Sequence, residues 1–376
     1  MPPSVRDKVV AGQGVSHDVD TYRAVREVAE MCSSDVADLN FLFVSPRHDR
    51  DAIARAWREI GAGPTICCTT AGEIEQSCGH VKGAVVGAGL RGVRAQVWPI
   101  EDLKNFDLGA AMALRERMEA FLASVQPEEQ VTAVVVLDGL SRREERVVAD
   151  LHYVLKGIPI VGGSAGDDLR FERTHVMIDG ECRHNVGAIA LMATTAPTTT
   201  FMAHHFEPTG ERLVVTAADP LARRVMEFDG KPAAQAYRAA AKIPEGKLTK
   251  AAMAVAPLML SIGERTFIRS LVDEADGALD LYCAIEEGLV LQIGRPIDLQ
   301  QRLENILAEV RAAVGEPQLV LGFDCILRRL EMEHVQLLDG VQELIAEQPL
   351  VGFSTYGEVF GGLHLNQTLT GLAIGR

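Results

Sequence analysis

Residues 349–376 read PLVGFSTYGEVFGGLHLNQTLTGLAIGR. The apolar run 350–353 predicts a short buried strand. Ser354, Thr355, Tyr356, Gly357 and Glu358 follow as a polar turn. Gly361 and Gly362 break the chain again, and the apolar, threonine-rich run 363–374 predicts a closing strand or hairpin.

The pattern recurs upstream. Residues 64–73 read PTICCTTAGE, with the same spacing of proline, apolar run, two hydroxyls, glycine and glutamate. Residues 159–167, PIVGGSAGD, are a cousin one residue shorter. In each, a strand runs into a hydroxyl-rich turn holding a glycine and then an acid. Such a turn exposes backbone N–H groups and small hydroxyls at a strand end, where folds present ligands. It serves equally well to turn the chain in a unit that the fold repeats.

Working outward, the order of elements repeats. The spacing predicts helices over 22–32 and 51–60, strands over 9–14, 39–44 and 65–69, and a hairpin around Arg91-Gly92. It then predicts helices over 108–125 and 143–155, strands over 131–137 and 158–161, and strands flanking a turn at Asp179-Gly180. Both halves read α-β-α-β-β-β. The bridge ATTAPTTT (193–200) marks a boundary, giving domains 1–195 and 200–376. Beyond it, Asp219-Pro220 reads as a helix start, and 325–347 as one long helix with the stripe Ile326, Leu330, Leu337, Val341 and Leu344. The end repeats α-β-α-β-β a third time. The fold class is α/β, with mixed sheets built from repeated α-β-α-β-β units in two domains.

Composition bounds the function. The chain has 376 residues, 47% hydrophobic and 24% charged, as expected of a globular protein of more than one domain. A net charge of −15 without a basic run argues against a nucleic-acid partner. The first residues lack the apolar core of a signal peptide, and no apolar stretch is long enough to span a membrane. Seven scattered cysteines point to reduced thiols and a cytoplasmic location. Cys67 and Cys68 are adjacent in a strand and should face opposite sides.

Several residue types suggest chemistry. Asp324 to Arg329 lie at a strand-to-helix junction, with Asp324 as the helix cap. A helix start favours anions, and Arg328 or Arg329 adds a fork for a carboxylate; pairing with Glu331 or Glu333 on the helix surface is the competing use. Cys325 reads as a buried small residue or a soft metal ligand. His364 alternates with apolar neighbours on a strand and reads as a pocket-facing ligand or a structural histidine. Residues 162–166 match G-x-S-x-G, but a nucleophile elbow needs a helix directly after Ser164, and here more strand follows. Serine hydrolase or acyl-transfer chemistry at Ser164 is the alternative reading. Asp167 and Asp168, with Glu73 or Glu358, offer carboxylates for an ammonium or metal, or for capping loop N–H groups. The ligand-binding candidates are Gly163, Ser164, Asp167, Arg328, Arg329, Tyr356, Glu358 and Asn366, with no catalytic residue assigned.

The blocks CTTAGEIEQSCG (68–79), GGSAGDDLRFERTHVMIDG (162–180), FDGKPAAQAY (228–237), DCILRRLE (324–331), GFSTYGE (352–358) and HLNQTLTG (364–371) together resemble the FIST sensory proteins, which carry FIST N and FIST C domains. The resemblance covers nearly the whole chain. It implies a small-ligand sensor in signal transduction. DCILRRLE, STYGE and HLNQT resemble more closely the stand-alone group described as haem-binding nitric-oxide sensors acting on a partner histidine kinase. That implies a haem cofactor and a two-component partner. It supplies no axial ligand residue by residue; His364 is the first choice from this sequence, and Cys325 the alternative. A sensor of a metabolite such as an amino acid is a further alternative.

Overall fold

The computed structural model describes residues 8–178, 180–244 and 248–376. Asp179 of the expected Asp179-Gly180 turn lies outside them. The fold is α/β with mixed sheets. One repeat runs β1 (Val10–Ser16), α1 (Thr21–Cys32), β2 (Leu39–Val44), α2 (Arg50–Ile60), β3 (Thr65–Thr69), a hairpin of β4 (Glu73–Glu75) and β5 (Gly79–Val81), then β6 (Val85–Arg91). The next runs β7 (Arg94–Ile100), α3 (Leu108–Arg117), α4 (Glu119–Ala123), β8 (Gln130–Leu137), α5 (Glu144–Val154), β9 (Ile160–Ser164), a hairpin of β10 (Val176–Ile178) and β11 (Glu181–Arg183), then β12 (Gly187–Thr194). A third repeat opens with β13 (Thr198–Ala203) and is interrupted by β14 (Phe206–Asp219), β15 (Arg224–Phe228), β16 (Lys231–Pro232), α6 (Ala233–Ala240), α7 (Lys250–Val255), β17 (Leu258–Ile262), β18 (Arg265–Arg269), β19 (Leu271–Ala275), β20 (Ala278–Leu281) and β21 (Val290–Pro296). It resumes with α8 (Leu299–Val314), β22 (Leu319–Cys325), α9 (Ile326–His334), α10 (Leu338–Ala346), β23 (Leu350–Thr355), the hairpin strands β24 (Glu358–Phe360) and β25 (Leu363–Leu365), and β26 (Leu369–Ile374).

Two compact units result, and neither is contiguous. One comprises Met1–Met202, Leu303–His364 and Leu369–Arg376; the other comprises Ala203–Arg302 and Leu365–Thr368. The sequence reading divided the chain at 195/200, whereas the C-terminal repeat packs in the same unit as the first two.

In the larger unit the three repeats build three six-stranded sheets, β1-β6-β2-β3-β10-β11, β7-β12-β8-β9-β24-β25 and β13-β26-β22-β23-β4-β5. Each centres on a parallel pair, and each ends in a hairpin lent by another repeat. β4 pairs with β23 (Phe353 opposite Glu73), β10 with β3 (Val176 opposite Cys68) and β24 with β9 (Glu358 opposite Gly163). Strands such as β2, LNFLFV, are buried along their whole length, as central strands covered on both faces must be. Inner faces of all three sheets share one core, where Phe43 packs against Phe353 at 4.7 Å between ring centroids and Phe323 meets Phe353 edge-on at 5.7 Å. Helices cover the outer faces; Cys68 faces the shared core and Cys67 the helices α1 and α2, as the alternation required. Two matching glycines allow close strand packing: a Cβ at Gly162 would lie 1.8 Å from the Val135 carbonyl oxygen, and one at Gly352 lies 1.9 Å from that of Gly322.

Some expected elements differ. Residues 325–347 form two helices, because Gln336 adopts a left-handed conformation (φ 58°) between α9 and α10. No helix starts at Asp219-Pro220: Asp219 ends β14, and its carboxylate accepts from the N–H groups of Leu221 and Ala222 in a turn. Asp324 does not cap α9; it is buried in β22 and Cys325 holds the cap position.

The smaller unit is an antiparallel sheet of eight strands with α6 and α7. Tyr237 is fully buried in its core and donates to the Ala256 carbonyl at 2.8 Å. Gln367 fixes the segment Leu365–Thr368 there, accepting from Ser270 Oγ at 2.8 Å and donating to the Ala254 carbonyl at 3.2 Å.

Candidate functional site

The three repeated turns meet. Ala71 N–H donates to the Ser354 carbonyl (3.0 Å) and Ser354 N–H to that of Gly72 (2.7 Å). Ser164 N–H donates to Gly357 (2.8 Å) and Tyr356 N–H to Ser164 (3.1 Å). Gly166 N–H donates to Thr69 (3.0 Å), which closes the circle. The hydroxyl-rich turns thus use their backbone on one another and form a buried polar hub.

Side chains fill it. Thr70 Oγ1 donates to Glu73 and Thr355 Oγ1 donates to Glu358, the same contact at matching places in two repeats. Glu73 also accepts from Ala84 N–H at 3.0 Å. Burial pushes the Glu73 carboxyl up to about 7, against the pull of the Thr70 and Ala84 hydrogen bonds and the Arg329 charge. The shorter turn is wired differently. Asp167 accepts from the N–H groups of Phe171 (2.9 Å), Glu172 (2.7 Å) and Arg173 (2.9 Å) and from the Tyr356 hydroxyl. Burial opposes its charge, but the Tyr356 hydroxyl and those N–H groups outweigh burial and hold the carboxyl below its usual range. Phe171 stacks on Tyr356, ring centroids 4.9 Å apart.

A histidine sits at each seam where a lent hairpin meets its host. His80 Nε2 lies 3.1 Å from Asp324 Oδ2, and Arg328 Nε donates to Asp324 Oδ1 at 2.6 Å. Burial works against the Asp324 charge; Arg328 and the His80 hydrogen bond prevail and hold the carboxyl low. Next to them Arg329 donates to the Val81 carbonyl (3.0 Å) and to Glu333 (3.1 Å). At the second seam, Arg50 Nη1 meets His175 Nε2 at 2.6 Å. Burial, with Arg50 and Arg173 nearby, pushes the His175 ring down to about 4, so it is the neutral acceptor of that bond. At the third, His364 Nε2 lies 3.1 Å from Ser164 Oγ, and its Nδ1 lies 3.8 Å from Glu145 Oε1.

A separate pocket of about 480 Å³ opens where the end of α2 and the start of β3 face β7 and β10. Trp57, Arg58, Gln96, Val97, Met177 and Ile178 are among its walls.

Residues 38–231 match the FIST N domain and residues 233–361 match the FIST C domain. The chain belongs to the FIST family. A comparison with curated proteins gives no match. The junction between the two FIST matches, at 231/233, falls at β16 inside the smaller unit. FIST domains are sensory, which gives this chain a ligand-binding role in signalling.

Against that background, the hub of this FIST protein brings together Gly163, Ser164, Asp167, Tyr356 and Glu358, with Arg328, Arg329 and Cys325 on the adjoining seam. Gly163 works by close packing: a Cβ there would lie 2.6 Å from Thr355 Cγ2. Arg328 and Arg329 are each 3% exposed and turn their forks inward, so neither lies on a helix surface open to a ligand. Asn366 belongs to the smaller unit; it is 1% exposed and its Oδ1 has no hydrogen-bond partner among the described residues. Thr70, His80 and Glu145 were not singled out from the sequence. Aligning the repeats could have found His80, which lies in β5 as His364 lies in β25, each soon after a turn glutamate.

A haem does not fit at the two expected axial ligands. His364 is 3% exposed, with one ring nitrogen on Ser164 and the other towards Glu145. Cys325 is 1% exposed between β22 and α9.

Proposed function

We propose that this FIST chain is a sensory ligand-binding protein that does no chemistry on its ligand and reports to a signalling partner. The match of FIST N and FIST C domains over 38–361 carries the reading. The hub supports it, since three repeats locked at one polar centre can shift together between two arrangements when a ligand favours one. Seven scattered cysteines, with no disulfide among the described residues, support a reducing, cytoplasmic setting. No helix among the described residues is long and apolar enough to cross a membrane.

The finer reading is a haem-based nitric-oxide sensor regulating a partner histidine kinase in a two-component system. Its support is the likeness of DCILRRLE, STYGE and HLNQT. In this chain DCILRRLE, STYGE and His364 lie at the hub and its seams, and the burial of His364 and Cys325 favours an iron ligand elsewhere. Reconstitution with haem tests this. We expect any Soret band of the wild type to persist in His364→Ala; a band lost in a folded His364→Ala would reinstate that ligand, and no band in the wild type removes the haem reading.

One observation favours a second reading. Ser164, His364 and Glu145 line up as nucleophile, base and orienting acid do. The surroundings do not match. Ser164 is 1% exposed, and the N–H groups of Ser164, Ala165 and Gly166 are spent on Gly357, Leu137 (2.8 Å) and Thr69, leaving none to hold an oxyanion. We expect a fluorophosphonate probe to leave Ser164 unlabelled in the folded protein; stoichiometric labelling there would turn the argument to the hydrolase.

A further inference from the structure

The hub is closed, whereas the pocket beside α2 is open and has a defined chemistry. Its volume of about 480 Å³ is of ligand size. Met177 and Ile178 from β10, with Val97 from β7, make an apolar wall. The Trp57 ring adds to it, because its N–H is spent on Thr65 Oγ1 at 2.9 Å. Arg58 and Gln96 are the polar groups at this wall, and both are exposed. Arg58 donates to the Gly180 carbonyl at 3.4 Å, and no carboxylate among the described residues pairs with it. An arginine with no acidic partner among the described residues is informative in a chain of net charge −15. The described lining contains no Asp or Glu.

We propose that this pocket binds a small aryl or branched-alkyl carboxylate, its body on the Val97, Met177, Ile178 and Trp57 wall and its carboxylate on the Arg58 fork and the Gln96 amide. The proposal rests on the ligand-binding reading above and names the ligand class. The Arg58 guanidinium repels an α-ammonium group carried next to the carboxylate, so a simple carboxylate binds better than the corresponding amino acid.

Titration of the full chain with phenylacetate, phenylacetamide and phenylalanine tests it. Trp98→Phe leaves Trp57 as the only tryptophan and hence a fluorescence reporter at the pocket wall. Phenylacetate should bind, with the other two weaker by about tenfold or more. Arg58→Gln should bring phenylacetate and phenylacetamide to similar affinity, and Gln96→Ala should weaken phenylacetate by a smaller factor. Both positions are exposed, so an unchanged melting temperature verifies the fold. No phenylacetate binding up to about 10 mM, or binding unchanged by Arg58→Gln, overturns the proposal. A small molecule that co-purifies with the wild type and equally with both variants also overturns it, while leaving the sensory reading intact.

Discussion

Glu73 and Glu358 hold matching places in two turns, and Glu73 shows what burial does to such a group. Its folded pKa of about 7 lies above the usual 4.5. The protonated form therefore favours folding: that contribution is fully present below pH 4.5 and is lost as pH rises through 7. Glu73→Gln mimics the protonated acid, donating to Thr70 and accepting from Ala84. Chemical unfolding should find variant and wild type alike near pH 4.5 and the variant more stable at pH 8, by on the order of 3 kcal/mol. Equal stability at both pH values would contradict the buried placement. His175 acts with the opposite sense. Its folded pKa of about 4 lies below 6.5, so its contribution is present above pH 6.5 and lost as pH falls towards 4. His175→Gln should flatten the acid side of the stability profile measured by the same method.

Among the elements, the break between α9 and α10 is the clearest case of a feature hidden from periodicity. The apolar stripe runs through it, and neither glycine nor proline marks it. Gln336 nonetheless takes the left-handed end position, with Leu337 N–H donating to the Met332 carbonyl at 2.9 Å and Val335 N–H to that of Glu331 at 2.9 Å. Gln336→Gly should raise the denaturant midpoint, with stability up by about 1 kcal/mol and an unchanged slope. The parallel pairs, their helices and the three turns were legible, because each strand is a continuous apolar run and each turn repeats one spacing. The lending of hairpins was not. Strands such as β4, β10 and β24 are too short to show alternation, and their partners lie far away in the chain. The Ser164–His364 contact is hidden for the same reason, spanning 200 positions. Sequence put both residues among its candidates, but no local signal joins them. Arg328 and Arg329 read from the sequence as a carboxylate fork or as partners of Glu331 or Glu333; the burial that sends Arg328 to Asp324 and Arg329 to the Val81 carbonyl of the lent β5 has no local signal.

For the larger unit as a whole, the lent hairpins make each repeat incomplete alone. The first repeat sends β4 and β5 to the third and receives β10 and β11 from the second; the second receives β24 and β25 from the third. The backbone bonds of the hub tie the turns of all three repeats to one another, so the hub is complete only when all three are present. Unfolding of a fragment comprising residues 1–195 tests this central claim most directly, followed by near-ultraviolet circular dichroism beside the full chain. Without β22 to β26, β4 loses β23, β9 loses β24, and the shared core loses Phe323, Phe353 and their neighbours. The account predicts no cooperative transition and no fixed near-ultraviolet signal for the fragment. A sharp transition within a few degrees of the full chain's would contradict it and restore a self-sufficient N-terminal domain.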